Sequence, residues 1–532
     1  MKAIKIFSAA VAFTLFGISN IKAQSFDLNA IKASDIGVSG MVPEASVPVS
    51  ASGQPYAYNF WGRTFQGSPD PRVAASGMLP MTSGSIALLN SGEEALAARL
   101  QTLKNAKRSI RIQALIFTAD ETGLSVAKIL KEKHKQGLDV RVIVDAFSNI
   151  MTSKERLDLN TQMMYYDLKQ NGIEVEGYEA LLLEWMNEVS LHDPKQPDKR
   201  FHDKMWIIDA EDQDSASAVV GGRNIANEYF RMGTDAGHRW RDQDFIVTGP
   251  VVADITAVFE RNYAEAKKIK DSRPGILNTD TAWALWRKYV IKTFGMVGVH
   301  EGKQDEAVQG KVSDALNNTS GFTPAFFPAK MRFLQSRPRE KETYILQAYE
   351  DLCAAAQKEL LIVNAYFVPT PRILEAIKGA ARRGVQVTII TNSPATNDLP
   401  EMAYASRYTY SGLFAVNAEE NTRNYGGSIN VAEWNGQKFD EGTLHAKFAV
   451  ADRKLVVGGS YNLDPRSESL NSETVIEFEN EKLGADLADS VVKGDLPKCE
   501  YITTAQAKAF HNPSKPPDML KLMLWNGLRG EL

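Results

Sequence analysis

The sequence predicts an α/β protein made of two similar halves, and three observations carry that expectation. Strands alternate with helices in short units, the same order of elements occurs twice, and each copy contains a segment with histidine, lysine and aspartate at matched spacing. In the first copy a helical pattern from Glu94 to Ala106 breaks at Lys107-Arg108-Ser109, and Ile110 to Phe117 reads as a strand. Asp120-Glu121-Thr122-Gly123 punctuates, a helix runs to Lys135, Gly137 stops it, and Leu138 to Val144 is a second strand. From Thr343 the order returns: helix to Ala356, strand Leu360 to Tyr366, turn at Pro369, helix to Arg383, Gly384, strand Val385 to Ile390. Strands joined through helices of this length form β-α-β units, so each half should hold a mixed, largely buried sheet flanked by helices.

The 532 residues leave room for two or three domains, each with its own core. Against 61 Lys and Arg stand 65 Asp and Glu, a net charge of -4. A dedicated nucleic-acid binder carries a basic field, so this balance disfavours DNA or RNA as a partner. Lys2 and Lys5 precede a short apolar stretch, Ile6 to Ile18, and Ile21-Lys22-Ala23 offers a cleavage site before Gln24. Residues 1–23 therefore read as a secretory signal, with an uncleaved anchor as the alternative, and predict an exported, periplasmic or secreted protein. Residues 24–78, rich in Ser, Ala, Val, Gly and Pro, are expected to form an extended or partly disordered arm. Residues 79–262 then make the first half, 263–341 a connector, 342–505 the second half and 506–532 an apolar tail.

The connector carries Trp283, Trp286, Tyr289, Phe294 and Met296 among Lys and Arg, as a helix packed on the halves or lying on a membrane surface would. The tail, with Met519, Leu520, Leu522, Met523, Leu524, Trp525 and Leu528, suits a membrane contact and a sealed groove equally. The two cysteines, Cys353 and Cys499, could pair in an oxidising compartment; they have no metal-site company, and Cys353 sits in an apolar helical pattern. No zinc site is expected.

The chemistry concentrates in two segments. The first is Phe201-His202-Asp203-Lys204-Met205-Trp206-Ile207-Ile208-Asp209, followed by Gly221-Gly222-Arg223-Asn224. The second is Leu444-His445-Ala446-Lys447-Phe448-Ala449-Val450-Ala451-Asp452, followed by Gly459-Ser460-Tyr461-Asn462. The apolar run after each lysine is strand-like, so positions two apart share a face and each His points the same way as its Lys. Imidazole beside ammonium suits a phosphoryl group, which needs a nucleophile or acid and fixed positive charge. The glycine turns let backbone approach a phosphate, and Asn224 and Asn462 can donate amide hydrogen bonds to it.

From about residue 85 to 500 the chain resembles the phospholipase D superfamily, whose members carry this duplicated histidine-lysine-aspartate motif. The resemblance implies two α/β halves packed with pseudo-twofold symmetry around one active site, completed within one chain and needing no oligomer, metal or cofactor. It implies a catalytic set of His202, Lys204, Asp209, His445, Lys447 and Asp452. In its order of roles His202 is the nucleophile that forms a phosphohistidine and His445 the acid/base. Asp209 and Asp452 are expected to act as structural supports for nearby backbone. The trailing pattern Ser467, Asn471-x-Glu473 makes Glu473 a histidine-orienting acid, and Trp240-Arg241-Asp242 offers Asp242 in the first copy.

Two departures stand out. Eleven residues separate Asp209 from Gly221, against six between Asp452 and Gly459, so a longer exposed hairpin is expected in the first half. Gly222 replaces the usual serine that Ser460 supplies, which leaves Asn224, Ser460 and Asn462 as expected phosphate-binding residues. The stretches Val219 to Phe230, Trp240 to Asp244, Tyr366-Phe367-Val368-Pro369 and Thr391-Asn392-Ser393 with Asp398 look like the bacterial cardiolipin synthase branch lacking N-terminal transmembrane helices. That likeness implies phosphatidyl transfer between phospholipids at a membrane surface. The alternatives are a secreted phospholipase D using water as acceptor, and a nuclease or nucleic-acid phosphodiesterase.

Overall fold

The two copies join edge to edge into one sheet of fifteen strands. The computed structural model describes residues 58–65, 70–74, 77–145, 159–178, 200–232, 236–271 and 322–511. The expected signal peptide, most of the arm, the connector's aromatic cluster and the apolar tail beyond residue 511 lie outside these residues. Among the described residues no helix is long and apolar enough to cross a membrane.

The first half contributes β1 (Thr82–Leu89), β2 (Ser109–Ala114), β3 (Asp139–Asp145), β4 (Glu174–Tyr178), β5 (Met205–Ile208), β6 (Ser217–Gly221) and β7 (Asp244–Thr248). The second contributes β8 (Phe327–Ser336), β9 (Glu359–Asn364), β10 (Gln386–Asn392), β11 (Ser428–Trp434), β12 (Lys447–Ala451), β13 (Leu455–Gly459), β14 (Glu473–Glu479) and the short edge strand β15 (Cys499–Tyr501). At the centre β1 pairs antiparallel with β8, Ser83 opposite Lys330 and Ser85 opposite Pro328. Outward from that pair the order is β7-β6-β5-β2-β3-β4 on one side and β14-β13-β12-β9-β10-β11 on the other. The repeat is therefore a pseudo-twofold of the whole sheet.

Local sequence explains the units. Asp120 caps the helix Glu121–Lys135 by accepting the Gly123 N–H at 2.9 Å, and Gly137 ends it at φ 94°, where a side chain would be strained. Gly384, at φ 101°, closes the helix Pro371–Arg382 in the same way. The strands that follow pair in parallel, β2 with β3 and β9 with β10, and are buried on both faces. Both cysteines are free, and Cys353 is buried in the core of the second half.

Two described stretches are more ordered than their composition indicates. From the expected arm, Phe60, Trp61 and Phe65 are buried in the second half's core, Trp61 Nε1 donates to Glu479 at 2.9 Å, and Arg63 Nε donates to Asp351 at 2.7 Å. Three aromatic rings bring enough apolar area to hold the segment down. From the expected connector, β8 forms half of the central strand pair. Its Lys330, Arg332 and Gln335 interrupt the apolar pattern, and Arg332 is buried because Glu477 meets it at 2.6 Å.

Candidate active site

The residues ahead of β5 and β12 leave the sheet where the parallel strands end, the usual place for a crevice in α/β folds. There the halves cross. Phe201 bridges to Ser472 and Arg241 to Leu444. The His202 N–H donates to Ser472 O at 2.9 Å and the Ser472 N–H returns to Arg200 O at 3.1 Å. On the other side the His445 N–H donates to Arg241 O at 2.7 Å and the Arg241 N–H to Thr443 O at 2.9 Å. Each histidine is thus laid beside the carboxylate-bearing segment of the opposite half.

The side chains follow. His202 Nδ1 lies 2.7 Å from Glu473 Oε2, and His445 Nδ1 lies 2.7 Å from Asp242 Oδ2. A carboxylate at Nδ1 holds the proton there, which leaves Nε2 of each ring as the reactive nitrogen. Both rings are buried, at 8% and 4% exposure. Lys204 Nζ donates to His202 O at 2.8 Å and Lys447 Nζ to His445 O, so each ammonium is fixed beside its own histidine. Trp240 and Tyr229 flank the His445 ring, with centroids at 5.4 and 5.1 Å.

Burial and charge set the protonation states. Burial, with Lys204 and Lys447 nearby, holds His202 well below the usual histidine range. Burial and Lys447 pull His445 down to about 4, against the upward influence of Asp242. Burial lowers Lys204 to about 7 and Lys447 to about 8. The two orienting acids differ. Burial pushes Glu473 up to about 7, opposed by Lys204, Ser460 and Ser467. Asp242 is equally buried, yet His445, Arg223 and Lys447 outweigh desolvation and keep it below the usual carboxylate range.

The remaining predicted residues divide. Asp209 and Asp452, five residues along a strand from the lysines and so roughly 16 Å away, do not touch the histidines. Asp209 accepts the N–H groups of Lys107, Arg108 and Ser109 at 3.0, 2.7 and 3.2 Å. Asp452 accepts those of Gln357, Lys358 and Glu359 at 2.8, 2.7 and 3.0 Å. Both pin the helix-to-strand turn of their own half, which removes them from the chemical set and leaves them as supports. The Ser460 hydroxyl lies 2.5 Å from Glu473 Oε2 and 3.2 Å from Thr474 O, so it braces the orienting acid. Asn224 is a brace too: its Oδ1 accepts the Ile116 N–H at 3.1 Å and its Nδ2 donates to the Tyr229 hydroxyl at 2.9 Å. Asn462 differs, with its buried Oδ1 uncommitted to any protein group.

Gly222 has a steric reason. A Cβ there would stand 2.3 Å from Asp242 Oδ1, so the missing serine leaves the space that Asp242 fills. The longer hairpin of the first half is present between Ile208 and Ser217, with Glu211, Gln213 and Asp214 exposed. Sequence reasoning assigned no role to Tyr366 and Asp398, whose side chains meet at 2.7 to 2.8 Å beside Lys447. Their signal was only membership in the branch-like stretches. Among the described residues no group of three or more His, Cys, Asp or Glu is arranged to hold a metal ion.

Comparison with known proteins agrees with this architecture. The family described as "Cardiolipin synthase, PLD-like domain" matches residues 100–263 and 349–492, more than half of the chain. The chain belongs to this family, and through it to the phospholipase D superfamily. A cardiolipin synthase of Clostridium perfringens is 26% identical over 404 residues, covering 76% of this chain and 68% of the relative. A probable cardiolipin synthase of Bacillus subtilis is 24% identical over 406 residues, or 76% of this chain and 65% of the relative. An uncharacterized protein of Helicobacter pylori is 24% identical over 404 residues, covering 74% of this chain and 76% of its own. Among solved structures, the phosphatidylserine synthase of Haemophilus influenzae superposes with a TM-score of 0.54 at 16% identity, covering 84% of this chain and 93% of that one. That likeness is one of fold.

Proposed function

We propose that the protein is a phosphatidyltransferase that moves a phosphatidyl group from one phospholipid onto the headgroup alcohol of another through a phosphohistidine. The crossed pairs, His202 with Glu473 and His445 with Asp242, support it most. In the first step His202 Nε2 attacks phosphorus while His445 gives a proton to the departing headgroup oxygen, so a P–N bond forms as a P–O bond breaks. In the second, His445 takes the proton of the incoming alcohol, whose oxygen displaces His202. Lys204 and Lys447 hold the charge on the phosphoryl oxygens throughout.

The difference between the acids favours His445 for proton transfer. Ionised Asp242 stabilises an imidazolium at His445, and an anionic phosphodiester raises that ring's proton affinity further. His202, beside two lysines, stays neutral and nucleophilic. The cardiolipin synthases among the relatives support a lipid substrate. The charged start and short apolar core of residues 1–23 support export, and the apolar residues of 519–528 suit contact with a membrane.

The test is mass spectrometry of products from mixed phosphatidylglycerol and phosphatidylethanolamine vesicles. Lipids carrying two phosphatidyl groups are expected. Phosphatidic acid alone would assign water as the acceptor and make the enzyme a phospholipase D.

A further inference from the structure

The residue between His202 and Lys204 is charged, and it is not solvated. Asp203 has no exposed surface and lies in a polar network that ties the halves together. Its carboxylate accepts the Ser472 hydroxyl at 2.6 Å, Gln335 Nε2 at 3.0 Å and Gln113 Nε2 at 3.3 Å. Asn262 closes the ring, donating to Gln113 Oε1 at 3.0 Å and accepting from Gln335 at 3.1 Å. Ser472 is the residue before Glu473 and also bonds the His202 backbone. The Asp203–Ser472 bond therefore runs beside the His202–Glu473 bond and links the same two segments.

The other half does this differently. Ala446 stands where Asp203 stands and has no polar side chain. The residue before Asp242 is Arg241, anchored on Asp495 at 2.9 to 3.2 Å and on Asp242 O at 2.6 Å. A buried carboxylate costs more than a methyl group at the same position unless it is used. Its use is specific to the His202 side.

We propose that Asp203 is a positioning residue for the transfer reaction, fixing Glu473 against His202 and supplying the negative charge that tunes Glu473 and Lys204. This rests on the phosphohistidine reading of the site. The charged groups acting on Asp203 include Glu473 and Arg337, and Asp203 in turn acts on Lys204. Arg261 reaches the network through Gln335 Oε1 at 2.6 Å. A negative charge beside Glu473 raises its proton affinity, and beside Lys204 it favours the ammonium. Removing it lowers both.

The experiment measures kcat/KM against pH with a soluble p-nitrophenyl phosphodiester, alongside thermal melting. In Asp203→Asn both limbs of the profile move to lower pH, by roughly half to one unit. Ser472→Ala removes the shortest donor to Asp203 and lets that carboxylate take a proton, so the profile moves the same way by less. It keeps the backbone bonds to His202 and serves if Asp203→Asn does not fold. A lower melting temperature or uniformly lower rate with unmoved limbs would overturn the inference, because a merely structural network leaves the profile in place. An unmodified enzyme that never forms a phosphohistidine would instead overturn the reading beneath it.

Discussion

The two halves share a backbone plan and differ in how each supports its histidine. Around His202, Glu473 is braced by the Ser460 and Ser467 hydroxyls at 2.5 and 2.7 Å, and burial raises its proton affinity. Around His445, Asp242 takes the Gln243 N–H at 2.7 Å, occupies the space left by Gly222, and stays ionised. Duplication supplies two equal positions for imidazole, and substitution of a few neighbours makes them unequal in proton affinity. Equal halves would compete for one role. Unequal ones suit the proposed division of nucleophile from acid/base.

The orienting acids offer the largest effect. Glu473→Gln and Asp242→Asn each leave an imidazole without its counter-charge, and kcat on lipid should fall by about 10² to 10⁴. With a p-nitrophenyl diester, whose leaving group needs little protonation, the Asp242→Asn loss should shrink and the Glu473→Gln loss should not. Equal behaviour on both substrates breaks the division of roles.

Steric and hydrogen-bond supports come next. Gly222→Ala puts a Cβ against Asp242 and should displace it, while Ser460→Ala removes one bond to Glu473. Loss of a hydrogen bond to a charged group corresponds to roughly tenfold to hundredfold in kcat. Steady-state kinetics of the two variants check this, with Gly222→Ala restored in part by the good leaving group.

The pH dependence is the next smaller effect. Capture of an anionic diester needs both ammonium groups, and burial has lowered them, Lys447 to about 8 and Lys204 further. As pH rises through that range the lysines lose protons, so kcat/KM should fall near pH 7 to 8, well below the ordinary lysine range. A plateau extending to pH 10 would refute it. Activity should also survive EDTA, since the lysines provide the positive charge.

The motif aspartates should matter least to catalysis. Asp209→Ala and Asp452→Ala each strip the acceptor from three backbone N–H groups and should lower stability by about 1–3 kcal/mol. Chemical denaturation gives that cost, and kcat of the folded enzyme should stay within about twofold.

Much of this was legible beforehand. The duplicated β-α-β order and the His-x-Lys pairs could be read because period, glycine stops and linked spacing are local signals, and both orienting acids came from the resemblance to the phospholipase D superfamily. The pairing of Glu473 with His202 and of Asp242 with His445 could not, because it is made between residues 271 and 203 positions apart. β8 was hidden by Arg332, a charge whose burial depends on Glu477 in another strand. Asp203 carried no signal of its own, since only Gln113, Gln335 and Ser472 from three distant segments make it a bonded, buried group. The bond from Ser460 to Glu473 was out of reach for a related reason: a hydroxyl beside a phosphate site reads as a donor to phosphate until the acid next to it is located.

The division of labour between the histidines is tested most directly by trapping the covalent intermediate. His202→Ala and His445→Ala are each mixed with a labelled p-nitrophenyl phosphodiester, and burst and protein-bound label are measured together. His445→Ala should release a burst of p-nitrophenol and retain acid-labile label on His202, because attack persists when the leaving group needs no proton. His202→Ala should show neither burst nor label. Label on the His202→Ala protein, and none on His445→Ala, would contradict the assignment.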